Sequence, residues 1–160
     1  MTLEEVVRRL AIEQLYTEYA ECLDSDALEC WPDFFADDCA YRITSAENYE
    51  AGLPLGLIYA TSKDMLRDRV MALRKANIYE PQRYRHLISC IRLGGEASGP
   101  SLEATAHFLV VRTMQDGAMT MFGAGRYVDA VVSTTQGWKF ARKTVVLDSR
   151  QIDTLLAIPI

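Results

Sequence analysis

Leu3, Val6, Val7, Leu10, Leu15, Tyr19 and Cys22 recur at spacings near three and four, so residues 3–23 are predicted to form one long amphipathic helix with an acidic polar face. Asp24-Ser25-Asp26 supplies a stop and a new N-cap. Ala27 to Phe35 then reads as a second short helix carrying Trp31, Phe34 and Phe35, with Pro32 compatible only with its first turn or with a break. Alternation over residues 39–44 predicts a short strand, Asn48 to Gly56 a loop containing Gly52 and Pro54, and Leu57-Ile58-Tyr59 a brief strand. Thr61 or Ser62 caps a helix through Ala76, whose buried stripe is Met65, Leu66, Val70 and Leu73.

From Tyr84 the pattern changes to long runs rich in branched and aromatic residues. Tyr84–Leu93, Leu102–Met114, Met119–Val132 and Trp138–Leu147 are predicted strands, separated by Gly94-Gly95, Asp116-Gly117 and Gln136-Gly137. Asp116-Gly117 is the strongest hairpin signal, and Gly123 and Gly125 inside the third run predict a bulge or sharp bend. Helices first and an antiparallel meander afterwards indicate an α+β fold, with a strongly curved, mostly antiparallel sheet wrapped around the first helix.

Composition sets the scale of this fold. The chain has 160 residues, 49% hydrophobic and 24% charged, which suits a single domain over 1–160. A domain of this size buries roughly 70% of its unfolded surface and needs neither disulfide nor metal to fold. No apolar run approaches the roughly 18 residues that span a bilayer. The start, Met1-Thr2-Leu3-Glu4-Glu5, is acidic where a signal peptide is basic, so a cytoplasmic location is expected.

Charge is uneven along the chain. Residues 1–38 hold eleven acids against Arg8 and Arg9, a net −9, whereas residues 63–92 hold eight bases against three acids, a net +5. Either the two segments are solvated or pair with each other, or they form a docking surface for a protein partner. Nucleic-acid binding is disfavoured by a pI near 5.1 and by a basic segment without an aromatic platform.

Residues able to do chemistry are few. Cys22, Cys30, Cys39 and Cys90 show no C-x-x-C pairing, and His86 and His107 are the two histidines. Neither histidine has a carboxylate two positions beyond it, where Ile88 and Leu109 stand, so an iron-binding facial triad is not signalled. His107 alternates with Thr105, Leu109 and Val111 on a face that reads as interior, which suits a hydrogen-bonded core histidine. There is no G-x-S-x-G elbow, P-loop or dinucleotide fingerprint. One constellation remains: Asp24, Tyr41, His86 and His107 could line the open end of a curved sheet. This resembles the pocket of cone-fold dehydratases of the nuclear transport factor 2-like superfamily, in which a His/Asp pair acts as base and tyrosines polarise a carbonyl. Leu23 stands where one of those tyrosines is expected.

A second resemblance covers nearly the whole chain. Leu57-Ile58-Tyr59 followed by Met65-Leu66-Arg67-Asp68-Arg69-Val70, then Arg85-His86-Leu87-Ile88-Ser89, Phe108-Leu109-Val110-Val111-Arg112 and Gly125-Arg126-Tyr127-Val128-Asp129 come in order, and Trp138 to Asp148 closes the series. Together they are similar to the small (β) subunit of Rieske-type aromatic-ring-hydroxylating dioxygenases. The resemblance implies a cone-shaped α+β barrel and a structural, non-catalytic role with no cofactor in this chain. It also implies an α subunit that holds a Rieske 2Fe–2S cluster and a mononuclear iron, self-association as a trimer, and an α3β3 assembly. A Rieske centre needs two Cys and two His, as C-x-H and C-x-x-H, and no cysteine here is followed by histidine at either spacing.

Arg69, Arg126, Arg142 and Arg150 are suited to bidentate pairing with carboxylates such as Asp68, Asp129 and Asp148, within the fold or across interfaces. The apolar run Ile152, Leu155, Leu156, Ile158, Pro159 and Ile160 is expected to dock on the sheet or on a neighbouring subunit.

Overall fold

A computed structural model of the chain describes residues 2–54, 56–76, 80–96, 100–151 and 158–160. Helix α1 spans Leu3–Asp24 and opens on a capping box: the Thr2 hydroxyl accepts from the Glu5 N–H while the Glu5 carboxylate accepts from the Thr2 N–H. Its predicted apolar stripe divides in two. Leu15, Tyr19 and Cys22 are buried, joined by Ile12, Tyr16 and Leu23 from outside the predicted set, but Leu3 (80% exposed), Val7 (57%) and Leu10 (59%) face solvent.

Asp26 does not cap the next helix. It takes a left-handed φ of 59° and closes the end of α1, a conformation that aspartate tolerates better than most residues. Ala27 begins a 3-10 helix, Leu28–Phe34, with Trp31 and Pro32 buried in it, and this helix runs straight into strand β1, Phe35–Ser45. The expected loop after residue 48 instead begins in a short helix α2, Ala46–Glu50, because the Ser45 hydroxyl accepts from the Asn48 N–H and caps it. Strand β2 is Ile58–Ala60 and helix α3 is Lys63–Lys75, capped by Ser62. Leu66, Val70 and Leu73 form the buried stripe of α3, whereas Met65 is 41% exposed, its sulfur lying 3.4 Å from the Thr61 N–H nitrogen.

Strands β3 (Gln82–Glu96), β4 (Ser101–Met114), β5 (Met119–Thr134) and β6 (Gly137–Leu147) follow as the meander. The sheet order is β2-β1-β6-β5-β4-β3, antiparallel throughout except where β1 lies parallel to β6. The sheet curls without closing. Gly94-Gly95 is not a turn: β3 continues through a bulge there to Glu96. Of the two glycines predicted to bend β5, Gly123 lies beside a bulge, a register shift at Val110/Val111, while the register runs on unbroken through Gly125. At Gly125 a Cβ would overlap the Val146 carbonyl oxygen, so β6 packs this closely only against a glycine.

The acidic and basic segments meet within the chain. Arg74 donates to both Asp26 and Glu29, Lys63 lies 3.7 Å from Asp37, and Arg85 lies 4.0 Å from Asp24. Arg9, in the acidic segment, donates to the Ile91 carbonyl of β3. These contacts pin α1 and the 3-10 helix against α3 and β3, with the core between them and the inner face of the sheet.

Candidate functional site

Asp24, the last residue of α1, reaches strand β3. The His86 N–H donates to both Asp24 carboxylate oxygens, at 3.1 and 3.0 Å, and His86 Nδ1 lies 2.6 Å from Oδ1. A proton on Nδ1 facing the carboxylate leaves Nε2 as the basic nitrogen. Nε2 is buried and unpaired among the described residues. The pair forms part of the wall of a groove of about 640 Å³ between α1 and β3, which Tyr16, Ala20, Arg85 and Ile88 also line. A histidine oriented by a carboxylate in this way can accept a proton from a bound molecule.

The other two members of the predicted constellation lie elsewhere. Tyr41 is fully buried in β1, where its hydroxyl donates to the Ile160 backbone oxygen at 3.1 Å and accepts from the Ile160 N–H at 3.2 Å. His107 faces outward. In β4 the inward set is Leu102, Ala104, Ala106, Phe108 and Val110, which puts Glu103, Thr105 and His107 on the opposite face. The interior face expected for His107 is therefore corrected: Leu109 and Val111 follow it on the same face and made that face read as interior, but strand parity assigns the histidine to the outside. Asp24 and His86 are brought together; Tyr41 and His107 do not join them.

The interior also holds a charged pair. Lys143 and Asp129 stand opposite each other in the β5–β6 register, both fully buried, with Nζ 3.0 Å from Oδ2. Asp129 also accepts from the Tyr16 hydroxyl at 2.6 Å and the Thr144 N–H at 3.2 Å. The ammonium sits 3.5 Å from the Tyr127 ring centre and 4.3 Å from that of Phe140. Loss of water pushes Lys143 down to about 8 against the attraction of Asp129, and burial likewise raises the Asp129 carboxyl. Sequence reasoning paired Asp129 with an arginine. The usable signal was a lysine on the parity of Val145 and Leu147 in β6; a bulge at Ala141 is what brings Phe140 to the same side.

Three of the four arginines singled out from sequence have partners within the chain, and these are not the aspartates named for them. Arg142 pairs with Glu103 at 3.1 Å, Arg150 with Glu47 at 3.2 Å, and Arg126 stacks over the Tyr49 ring. Of the C-terminal run, Ile158, Pro159 and Ile160 are buried within this chain, while Ile152, Leu155 and Leu156 lie outside the described residues.

The cysteines do not make a cluster site. They sit on α1, the 3-10 helix, β1 and β3, Cys22 donates to the Ala27 carbonyl, and burial pushes its thiol up to about 12. Among the described residues no group of three or more His, Cys, Asp or Glu converges as metal ligands. Among the described residues the side chains fit neither a Rieske cluster nor a mononuclear iron. Among the described residues no helix is long and apolar enough to cross a membrane.

A family model described as "Ring hydroxylating beta subunit" matches residues 18–154. The chain is 40% identical over 157 residues to the anthranilate 1,2-dioxygenase small subunit of Burkholderia cepacia, covering 98% of this chain and 97% of that one. It is also 40% identical over 157 residues to subunit beta 1 of the terephthalate 1,2-dioxygenase terminal oxygenase component of Comamonas sp., covering 97% and 100%. Among solved structures, a protein assigned as the β subunit of an aromatic-ring-hydroxylating dioxygenase from Novosphingobium aromaticivorans superimposes with a TM-score of 0.87. That pair is 39% identical over 99% of this chain and 100% of the other.

Proposed function

Because the chain belongs to the ring-hydroxylating β-subunit family, we propose that it serves as the structural subunit of an aromatic-ring-hydroxylating dioxygenase, with the catalytic iron held by an α subunit. The observation that carries this reading is identity to named small subunits along essentially the full length of both chains. The α partner bears the Rieske cluster and the mononuclear iron, and three copies of each chain assemble as α3β3 around a β trimer in the cytoplasm. This chain contributes one domain, 1–160, and no catalytic group.

The surface suits such a role. Leu87, Met119 and Met121 on the sheet and Leu3, Val7 and Leu10 on α1 are exposed apolar side chains that subunit contacts would bury. A stand-alone dehydratase is the weaker reading, since His107 points away from the Asp24–His86 pair and the Tyr41 hydroxyl is engaged with Ile160. Anthranilate and terephthalate, in the names of the two relatives, are aromatic carboxylates, and a substrate of that class is proposed for the assembled oxygenase.

Co-expression with the α subunit followed by native mass spectrometry and iron analysis tests the assignment. The expected result is a complex with equal numbers of the two chains, three of each, and iron and acid-labile sulfide that stay with α when the chains are separated. A chain that remains apart from α, or that retains iron by itself, would overturn it.

A further inference from the structure

Ala27 stands between two of the four cysteines. Its N–H donates to the Cys22 carbonyl at 3.0 Å, and its own carbonyl oxygen accepts from the Cys22 thiol at 3.2 Å and from the Cys30 N–H at 3.0 Å. The Cys22 sulfur and the Cys30 backbone nitrogen thus converge on one atom. Both side chains also meet the same side of α1. Cys22 continues the helix stripe of Leu15 and Glu18, and Cys30 lines a groove of about 380 Å³ with those two residues. The thiols are close enough that Cys30 adds to the burial that pushes the Cys22 thiol up to about 12. Cys39, the other buried cysteine, has Lys63, Asp38 and Asp37 as its charged neighbours instead.

The two thiols differ in access. Cys30 is exposed, whereas Cys22 is buried beneath the turn that joins α1 to the 3-10 helix. A dissolved oxidant therefore meets Cys30 first, with Cys22 held beside it as a second thiol.

We propose that Cys30 and Cys22 form a two-thiol oxidation site that takes hydrogen peroxide as its oxidant and closes to an intrachain disulfide. The Cys30 sulfur attacks the peroxide O–O bond, giving a Cys30 sulfenic acid and one water; the Cys22 sulfur then displaces the sulfenic hydroxyl, giving the Cys22–Cys30 disulfide and a second water. The two sulfurs lose two electrons to one peroxide, and both thiol hydrogens end in the water. Cys22 must shed its proton before it attacks, so the closing step is the slow one near neutrality and quickens as the pH rises. The bridge encloses Asp24, Asp26 and Glu29, whose carboxylates reach His86 and Arg74, and it fixes the turn from which those contacts issue. The inference goes beyond the subunit assignment and does not depend on it.

The full chain, treated with hydrogen peroxide and digested with a glutamyl endopeptidase, tests the site by mass spectrometry. Cleavage after Glu21 and Glu29 separates Cys22 from Cys30, so a disulfide is then what holds their peptides together. The expected product is that linked pair, two hydrogen atoms lighter than the peptides apart and split by dithiothreitol. The peptide that begins at Cys30 also carries Cys39, so Cys39→Ser is run beside Cys30→Ser: the linked pair should persist in the first and vanish in the second. In Cys22→Ser the Cys30 sulfenic acid should persist, and dimedone should trap severalfold more of it than in the unaltered chain. Circular dichroism before oxidation reports folding, and the exposed change Cys30→Ser carries the test by itself if Cys22→Ser does not fold. A folded, unaltered chain in which Cys30 is oxidised without forming the linked pair overturns the proposal. So does a linked pair that survives Cys30→Ser and is lost in Cys39→Ser.

Discussion

Replacing Asp129 with leucine should be among the most damaging single changes in this chain, costing about 3–5 kcal/mol, the usual penalty for stranding one member of a buried ion pair. The change leaves the Lys143 ammonium with aromatic ring faces in place of a carboxylate, and it removes the acceptor of the Tyr16 hydroxyl and the Thr144 N–H. Lys143→Met should cost less, because the remaining carboxylate keeps both of those donors. Combining Asp129→Leu with Lys143→Met should recover part of the loss, since no lone charge then stays in the interior. Urea unfolding of the three variants checks this. Strictly additive losses would mean that the two groups do not stabilise each other.

Trp31→Ala is the second large effect. Trp31 is fully buried in the 3-10 helix, with ring centres of Tyr41 and Phe35 at 5.1 and 5.6 Å. Truncation opens a cavity at the junction of α1, the 3-10 helix and β1 and should cost about 3–5 kcal/mol. Trp31→Phe keeps most of the apolar volume and loses the indole N–H that orients the Tyr19 hydroxyl. Its cost should be nearer 1 kcal/mol, that of one buried hydrogen bond. Denaturant midpoints distinguish the two terms, and equal losses for both variants would assign the whole effect to the hydrogen bond.

Most of the architecture was legible where local chemistry and tertiary need agree. The period of α1, the Ser62 cap of α3 and the Asp116-Gly117 turn each specify one local structure and are found in it. The departures come where two local readings compete. Gly94-Gly95 has turn chemistry, but its neighbours pair with β4 and the glycines become a bulge. Residues 46–50 carry no strong helix pattern, and the Ser45 cap decides them. Leu3, Val7 and Leu10 have helical spacing, which shows that they share a face but not what that face meets.

The candidate site was less legible for a related reason. Asp24 and His86 are 62 positions apart, and only the packing of α1 on β3 joins them. His107 was misassigned because it shares its face with the apolar Leu109 and Val111, and alternation fixes a parity without saying which side is inside. Lys143 and Asp129 break the apolar pattern of the inner face, a conflict resolved only by the register that sets them opposite each other.

Oxygenase turnover per mononuclear iron reads out directly whether this chain supplies structure or chemistry to the complex. The purified α subunit would be assayed with an aromatic carboxylate, electron donors and oxygen in three states: alone, with this chain, and with this chain carrying Asp24→Asn and His86→Gln. Little turnover is expected from α alone, restoration with the unaltered chain, and unchanged turnover with the doubly substituted chain in complexes of equal assembly and iron content. Full turnover by α alone, or a loss confined to the doubly substituted complex while assembly and iron stay intact, would contradict the structural role.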